Sequence, residues 1–187
     1  MLGALSRAMD DAVDDGLNAR GRSPTHVAAG FALVAAALMV TALAGYHDKP
    51  AQEARRKLDE ASLDKPGFKP SDKTFSAVMP PMFLLLTFSG IRLWNAPASP
   101  IRTRALAIWG GLQALHVLES LWKPKENTAK LVTNLATMGG ALAYARDAKD
   151  VDPPSAAIIA PYVSWMGFAN LVAAEVWRRN KNRPDVK

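Results

Sequence analysis

Three stretches of this chain, 26–46, 75–91 and 156–174, contain no Asp, Glu, Lys or Arg. A hydrocarbon core about 30 Å thick is crossed by roughly 20 apolar residues in a helix, so each stretch reads as a membrane span. Two weaker stretches, 105–122 and 131–145, are shorter or carry polar groups, and they lie between strong ones. The pattern predicts an all-α integral membrane protein, a five-transmembrane-helix bundle with spans over about 26–46, 75–94, 105–122, 131–145 and 156–177. Residues 1–25 are then an N-terminal amphipathic or flexible segment, 26–180 the transmembrane domain and 181–187 a basic C-terminal tail. A soluble bundle of buried helices is the alternative.

The first span is rich in Ala, which lets helix backbones approach closely in lipid. Ahead of it, Leu2, Leu5, Met9, Val13 and Leu17 recur at helical spacing. That segment reads as a short interfacial helix or a frayed tail. Asp10, Asp11, Asp14 and Asp15 and the lack of an apolar core exclude a signal peptide. The longest connection, 47–74, breaks the first span at His47-Asp48-Lys49-Pro50, allows surface turns over 52–62, and becomes irregular at Lys65-Pro66-Gly67-Phe68-Lys69-Pro70. A lid and a plain linker both suit it. Pro80-Pro81 remove two backbone donors inside the second span and predict a kink.

Polar residues inside spans narrow the chemistry. Gln113, His116, Glu119 and Ser120 share one face of the third span, which must look into the bundle, a wet cavity or the headgroups. Tyr162, Trp165 and Phe168 recur at three-residue spacing on the last span, as helix packing or as the wall of a binding cavity. Trp177 before Arg178, Arg179 and Asn180 reads as an interfacial anchor, and Glu175 as an intrahelical ion-pair partner of the arginines.

Of 23 Lys and Arg residues, eight (Arg7, Arg20, Arg22, Arg92, Arg102, Arg104, Arg146 and Lys149) fall on the side of the N-terminus and fifteen on the side of the long loop and C-terminus. The bias puts the N-terminus outside and the C-terminus in the cytoplasm. The net charge of +6 is a topology and anionic-lipid signal, and no basic cluster with interleaved aromatics points to nucleic acid. Cysteine is absent, which excludes disulfides and thiolate metal sites. Three scattered histidines predict no metal site; an axial haem bond from His116 is the one alternative. No nucleophile elbow, phosphate loop or paired carboxylate marks an active site.

Pro161-Tyr162-x-x-Trp165-x-x-Phe168-Ala169, followed by Trp177-Arg178-x-Asn180, resembles the final helix of the TspO/MBR family, the tryptophan-rich sensory and translocator proteins. Lys65-Pro66-Gly67-Phe68-Lys69-Pro70 with Phe75 resembles the segment leading into that family's second helix, with Phe68 in place of Trp. The chain departs from the family's pattern at Met79 and Phe83, where a tryptophan and a tyrosine are usual. It departs again at Val117, Ser120 and Val172-Ala173. The resemblance implies a multi-pass protein of a bacterial cell membrane that binds a porphyrin or haem, or a sterol-like molecule, between its helices as ligand rather than fixed cofactor. It implies a pocket drawing on Tyr162, Trp165, Phe168, Gln113, His116 and Phe83, under a lid formed by Lys65, Pro66, Phe68 and Pro70. The expected role is ligand binding, sensing or transport. A structural or regulatory membrane subunit and a porphyrin-degrading enzyme are the alternatives. Expected partners are membrane lipid and the hydrophobic ligand, and a homodimer is left open.

Overall fold

Prolines and small polar residues punctuate the chain beside its apolar stretches, and the helices start there. The computed structural model describes residues 2–46, 61–122 and 127–182. Among the described residues are six helices: α1 (Leu2–Leu17), α2 (Pro24–Tyr46), α3 (Asp72–Asn95), α4 (Pro100–Trp122), α5 (Asn127–Val151) and α6 (Pro153–Asn180). Pro24, Pro100 and Pro153 each open a helix, where their missing N–H has no intrahelical partner to lose. Ser71 caps α3 by accepting a hydrogen bond from the Thr74 N–H at 3.1 Å.

The helix count corrects the expectation of five. Residues 2–17 fold as a helix of their own, because their apolar positions repeat at helical spacing and the helix's C-terminal carbonyls find donors on α3. The other five helices overrun the apolar stretches that signalled them, since backbone pairing continues through flanking polar turns. α3 runs without interruption through Pro80 and Pro81. Among the described residues, two helices, α3 and α6, are long and apolar enough to cross a membrane, and Pro24–Val40 of α2 is a shorter apolar stretch. The expected break at His47–Pro50 and most of the surface turns over 52–62 lie outside the described residues, as does the tail beyond 182.

Helices α2, α3, α6, α5 and α4 pack side by side in that order, and α4 closes the ring against α2 and α3. Leu86, Leu93, Leu112, Tyr144, Ile159 and Tyr162 fill its interior. Three buried polar residues there pair with one another, which offsets their loss of water in a low-dielectric core. Tyr144 Oη lies 2.7 Å from Ser89 Oγ, which donates to the Ser155 carbonyl at 3.0 Å.

At the end where α3 stops and α6 starts, Arg92 forms a buried two-pronged pair with Asp152, at 2.9 and 3.1 Å. The same guanidinium donates to the carbonyls of Asp15 and Gly16 at the end of α1. Nearby, His26 stacks on Trp94 with ring centroids 5.3 Å apart, and Trp94 Nε1 donates to the His26 carbonyl. Arg104 grips Asp147 between α4 and α5 at 2.6 and 2.7 Å. Those hydrogen bonds hold the Asp147 carboxyl below its usual range. The clip therefore contributes above the unfolded-state value and is lost as pH falls through the lowered one.

Close approach needs Gly90. A Cβ there would lie 2.5 Å from Trp109 Nε1, which is fixed by its hydrogen bond to the Leu86 carbonyl at 3.1 Å. Gly90→Ala should destabilise the bundle by about 1–3 kcal/mol through overpacking. Gly139→Ala, where a Cβ meets nothing within 4 Å, should not. Thermal unfolding of both variants in detergent checks this; equal melting curves would contradict it.

Candidate functional site

The three-residue spacing of aromatics on α6 sends its members to different tasks. Tyr162 is fully buried, and its hydroxyl lies 2.9 Å from His116 Nε2 on α4. His116 Nδ1 lies 3.4 Å from Glu119 Oε2, and Thr137 of α5 donates to Glu119 Oε1 at 3.4 Å. Phe83 meets the His116 ring edge-on, centroids 4.6 Å apart. Both ring nitrogens thus face neighbouring side chains, so an axial bond from Nε2 to a haem iron would first have to displace the tyrosine. The imidazole is held as a polar strut between α4 and α6.

Beside that strut opens a cavity of about 410 Å³, at the size of a small-molecule site. It lies where α3 and α5 begin and α4 and α6 end, against the segment 63–69. Trp165, Phe75, Met79 and Met166 give it apolar walls, with Phe75 and Trp165 edge-to-face at 5.1 Å. His116, Glu119 and Asn134 add polar surface, and Lys65, Lys69 and Lys130 stand around it with Asp72. The Trp165 indole N–H is buried with no hydrogen-bond partner among the described residues.

The structure brings some of the sequence-predicted residues to this cavity and places others behind it. Trp165, His116 and Lys65 line it. Tyr162 and Phe83 stand behind His116, and Phe168 backs Trp165 at a centroid distance of 5.6 Å. Gln113 is buried but is not on the cavity wall. Pro66 is buried, Pro70 half-buried, and Phe68 is 55% exposed, away from the wall.

Sequence reasoning assigned no site role to Phe75, Met79, Met166, Lys130 or Asn180. Met79 and Phe75 had a signal in the family pattern they fall on, and Asn180 in the Trp-Arg-x-Asn ending. Lys130 had none. Asn180 ties the segment before the cavity to the end of α6: its Oδ1 accepts from the Asp64 N–H at 3.0 Å and its Nδ2 donates to the Asp64 carbonyl at 2.9 Å. Arg179, held by Glu175, reaches the Asp64 carboxylate at 3.4 Å. Glu175 also grips Arg178, so the intrahelical pairs read from the sequence are present.

Comparison with known proteins points the same way. The TspO/MBR family matches the chain over residues 31–178. The Translocator protein of Bos taurus is 26% identical over 130 residues, covering 66% of this chain and 75% of its own length. That of Ovis aries matches over the same extent at 26% identity. The match begins after α1 and takes in every residue of the cavity wall.

Asn180 gives the site a testable hinge. Asn180→Ala removes both backbone partners of Asp64 and should raise hydrogen exchange across 62–66. Two lost part-buried hydrogen bonds cost about 1–3 kcal/mol of local stability. Unchanged exchange at Asp64 would show that the segment is held elsewhere.

Proposed function

We propose that this chain, which belongs to the TspO/MBR family, is a membrane protein that takes a flat hydrophobic molecule such as a porphyrin into the cavity beside Trp165. The observation that carries the reading is that indole: half-buried on an apolar wall, ringed by Phe75 and Phe168, with a hydrogen-bond donor lacking a partner among the described residues. Aromatic walls suit a flat π-system through stacked or edge contacts, and an acceptor on the ligand would satisfy the donor. Lys65, Lys69 and Lys130 suit carboxylates carried at the ligand's edge. His116, with Nε2 already opposite Tyr162, serves as a polar contact or strut, not as an iron ligand.

In this reading α2–α6 are the five spans and α1 lies outside them, while 63–70 acts as the lid latched by Asn180. The ligand enters where the lysines stand, on the side that the excess of cations assigns to the cytoplasm.

Trp165→Ala should weaken porphyrin binding about tenfold or more, since a buried aromatic contact is worth about 1–3 kcal/mol. Quenching of porphyrin or protein fluorescence on titration reads the change. Identical curves for both proteins would remove the ligand site from this cavity. Topology has its own check in a chain without native cysteine. Ala98→Cys should react with an impermeant reagent added outside intact cells, and Lys181→Cys should react only after permeabilisation. The reverse pattern would turn the bundle over.

A further inference from the structure

Helix α1 precedes the region matched by the TspO/MBR family, and the proposed ligand site makes no use of it. Its structure is nevertheless specific. Leu5, Met9 and Val13, four residues apart, form one stripe along it and are 57%, 68% and 56% exposed. Asp11, Asp14 and Arg7 occupy the opposite side of the helical wheel. Residues 4–13 are exposed all round the helix, and three large apolar side chains in a row among them need a covering.

The rest of the molecule says what lies there. The C-terminal end of α1 is fixed to the end of α3: Arg92 donates to the Asp15 and Gly16 carbonyls, and Asn95 Nδ2 donates to the Leu17 carbonyl at 3.0 Å. Arg22 then donates to the Asn95 carbonyl at 2.6 Å. This anchorage sits beside Trp94, which lies between His26 and Arg102, the mixture of aromatic and cationic groups that suits a headgroup region. Ile101, one residue before Arg102, is already exposed and apolar, as are Phe31 and Leu33 further down α2. The apolar outer surface of the bundle therefore begins within a turn or two of the point where α1 is pinned.

We propose that α1 is a membrane-surface helix, clamped to the bundle by Arg92 and Asn95, whose Leu5–Met9–Val13 stripe docks into the lipid interface at the α3 C-terminal end. Its charged side carries more Asp than Arg, so anionic lipid offers no pull and the apolar stripe supplies the attraction. The occupant is a zwitterionic lipid surface rather than a second copy of the chain.

Met9→Cys and Asp11→Cys, each the single thiol in a protein without cysteine, can be labelled with an environment-sensitive fluorophore. The full chain is then placed in phosphatidylcholine nanodiscs with and without lipids bearing a shallow nitroxide quencher. The Met9→Cys label should emit blue-shifted and be quenched by the nitroxide lipid, and the Asp11→Cys label should emit as in water. Two water-like labels would overturn the proposal by placing α1 off the membrane. A blue-shifted Met9→Cys label that lipid nitroxide leaves unquenched would overturn it in favour of a protein partner. Adding Leu5→Asp and Val13→Asp should abolish the shift at position 9 while porphyrin quenching through Trp165 is unchanged. Loss of both readouts together would mean that α1 is part of the fold core instead.

Discussion

One guanidinium joins most of this molecule. Arg92 lies buried near the end of α3, where an unpaired charge costs several kcal/mol. Its donors are met by the two oxygens of Asp152 and by the Asp15 and Gly16 carbonyls at the C-terminal end of α1. Asp152 in turn sits just ahead of α6, accepts from Ser155 Oγ, and through Ser155 and Ser89 connects to Tyr144 of α5. Four helices thus meet around one fork-shaped cation. A lysine could not replace it, because a single ammonium lacks the planar donor geometry that serves a carboxylate and two carbonyls at once.

That end of the bundle is consequently closed, with charge answered by charge and carbonyl by donor. The opposite end is built differently. There apolar walls meet a few polar side chains, and a space of about 410 Å³ remains between α3, α4, α5 and α6. Tyr162 and His116 mark the boundary between the two regimes: below them the helices touch, and beyond them they part around Trp165. The segment 63–69 stands over this opening because Asn180 holds Asp64 from the far end of the chain. A rigid end and an open end in one ring suit a protein whose proposed business is to admit a ligand from one side.

The sequence by itself determined the all-helical class, the rough position of each long helix and the family to which the chain is similar. Those properties are local: apolar length, helical spacing and terminal prolines act within a few turns of chain. The motif around Trp165 was legible for the same reason, as was the pairing of Glu175 with Arg178 one turn on. Residue roles within that motif were decided only by tertiary structure. Tyr162, Trp165 and Phe168 share a spacing, yet one is buried against His116, one faces a cavity and one supports the second, because each meets a different neighbouring helix. Arg92 read from sequence as one of eight cations on the side of the N-terminus; its partner lies 60 residues away. Asn180 read as the end of a motif; its partner lies 116 residues away. The additional helix, α1, also needed the fold, since a short amphipathic segment is marginal alone and its last turn is tied down by the side chains of Arg92 and Asn95 from α3. Periodicity reports which face of a helix is apolar, and only the packed bundle decides what that face touches.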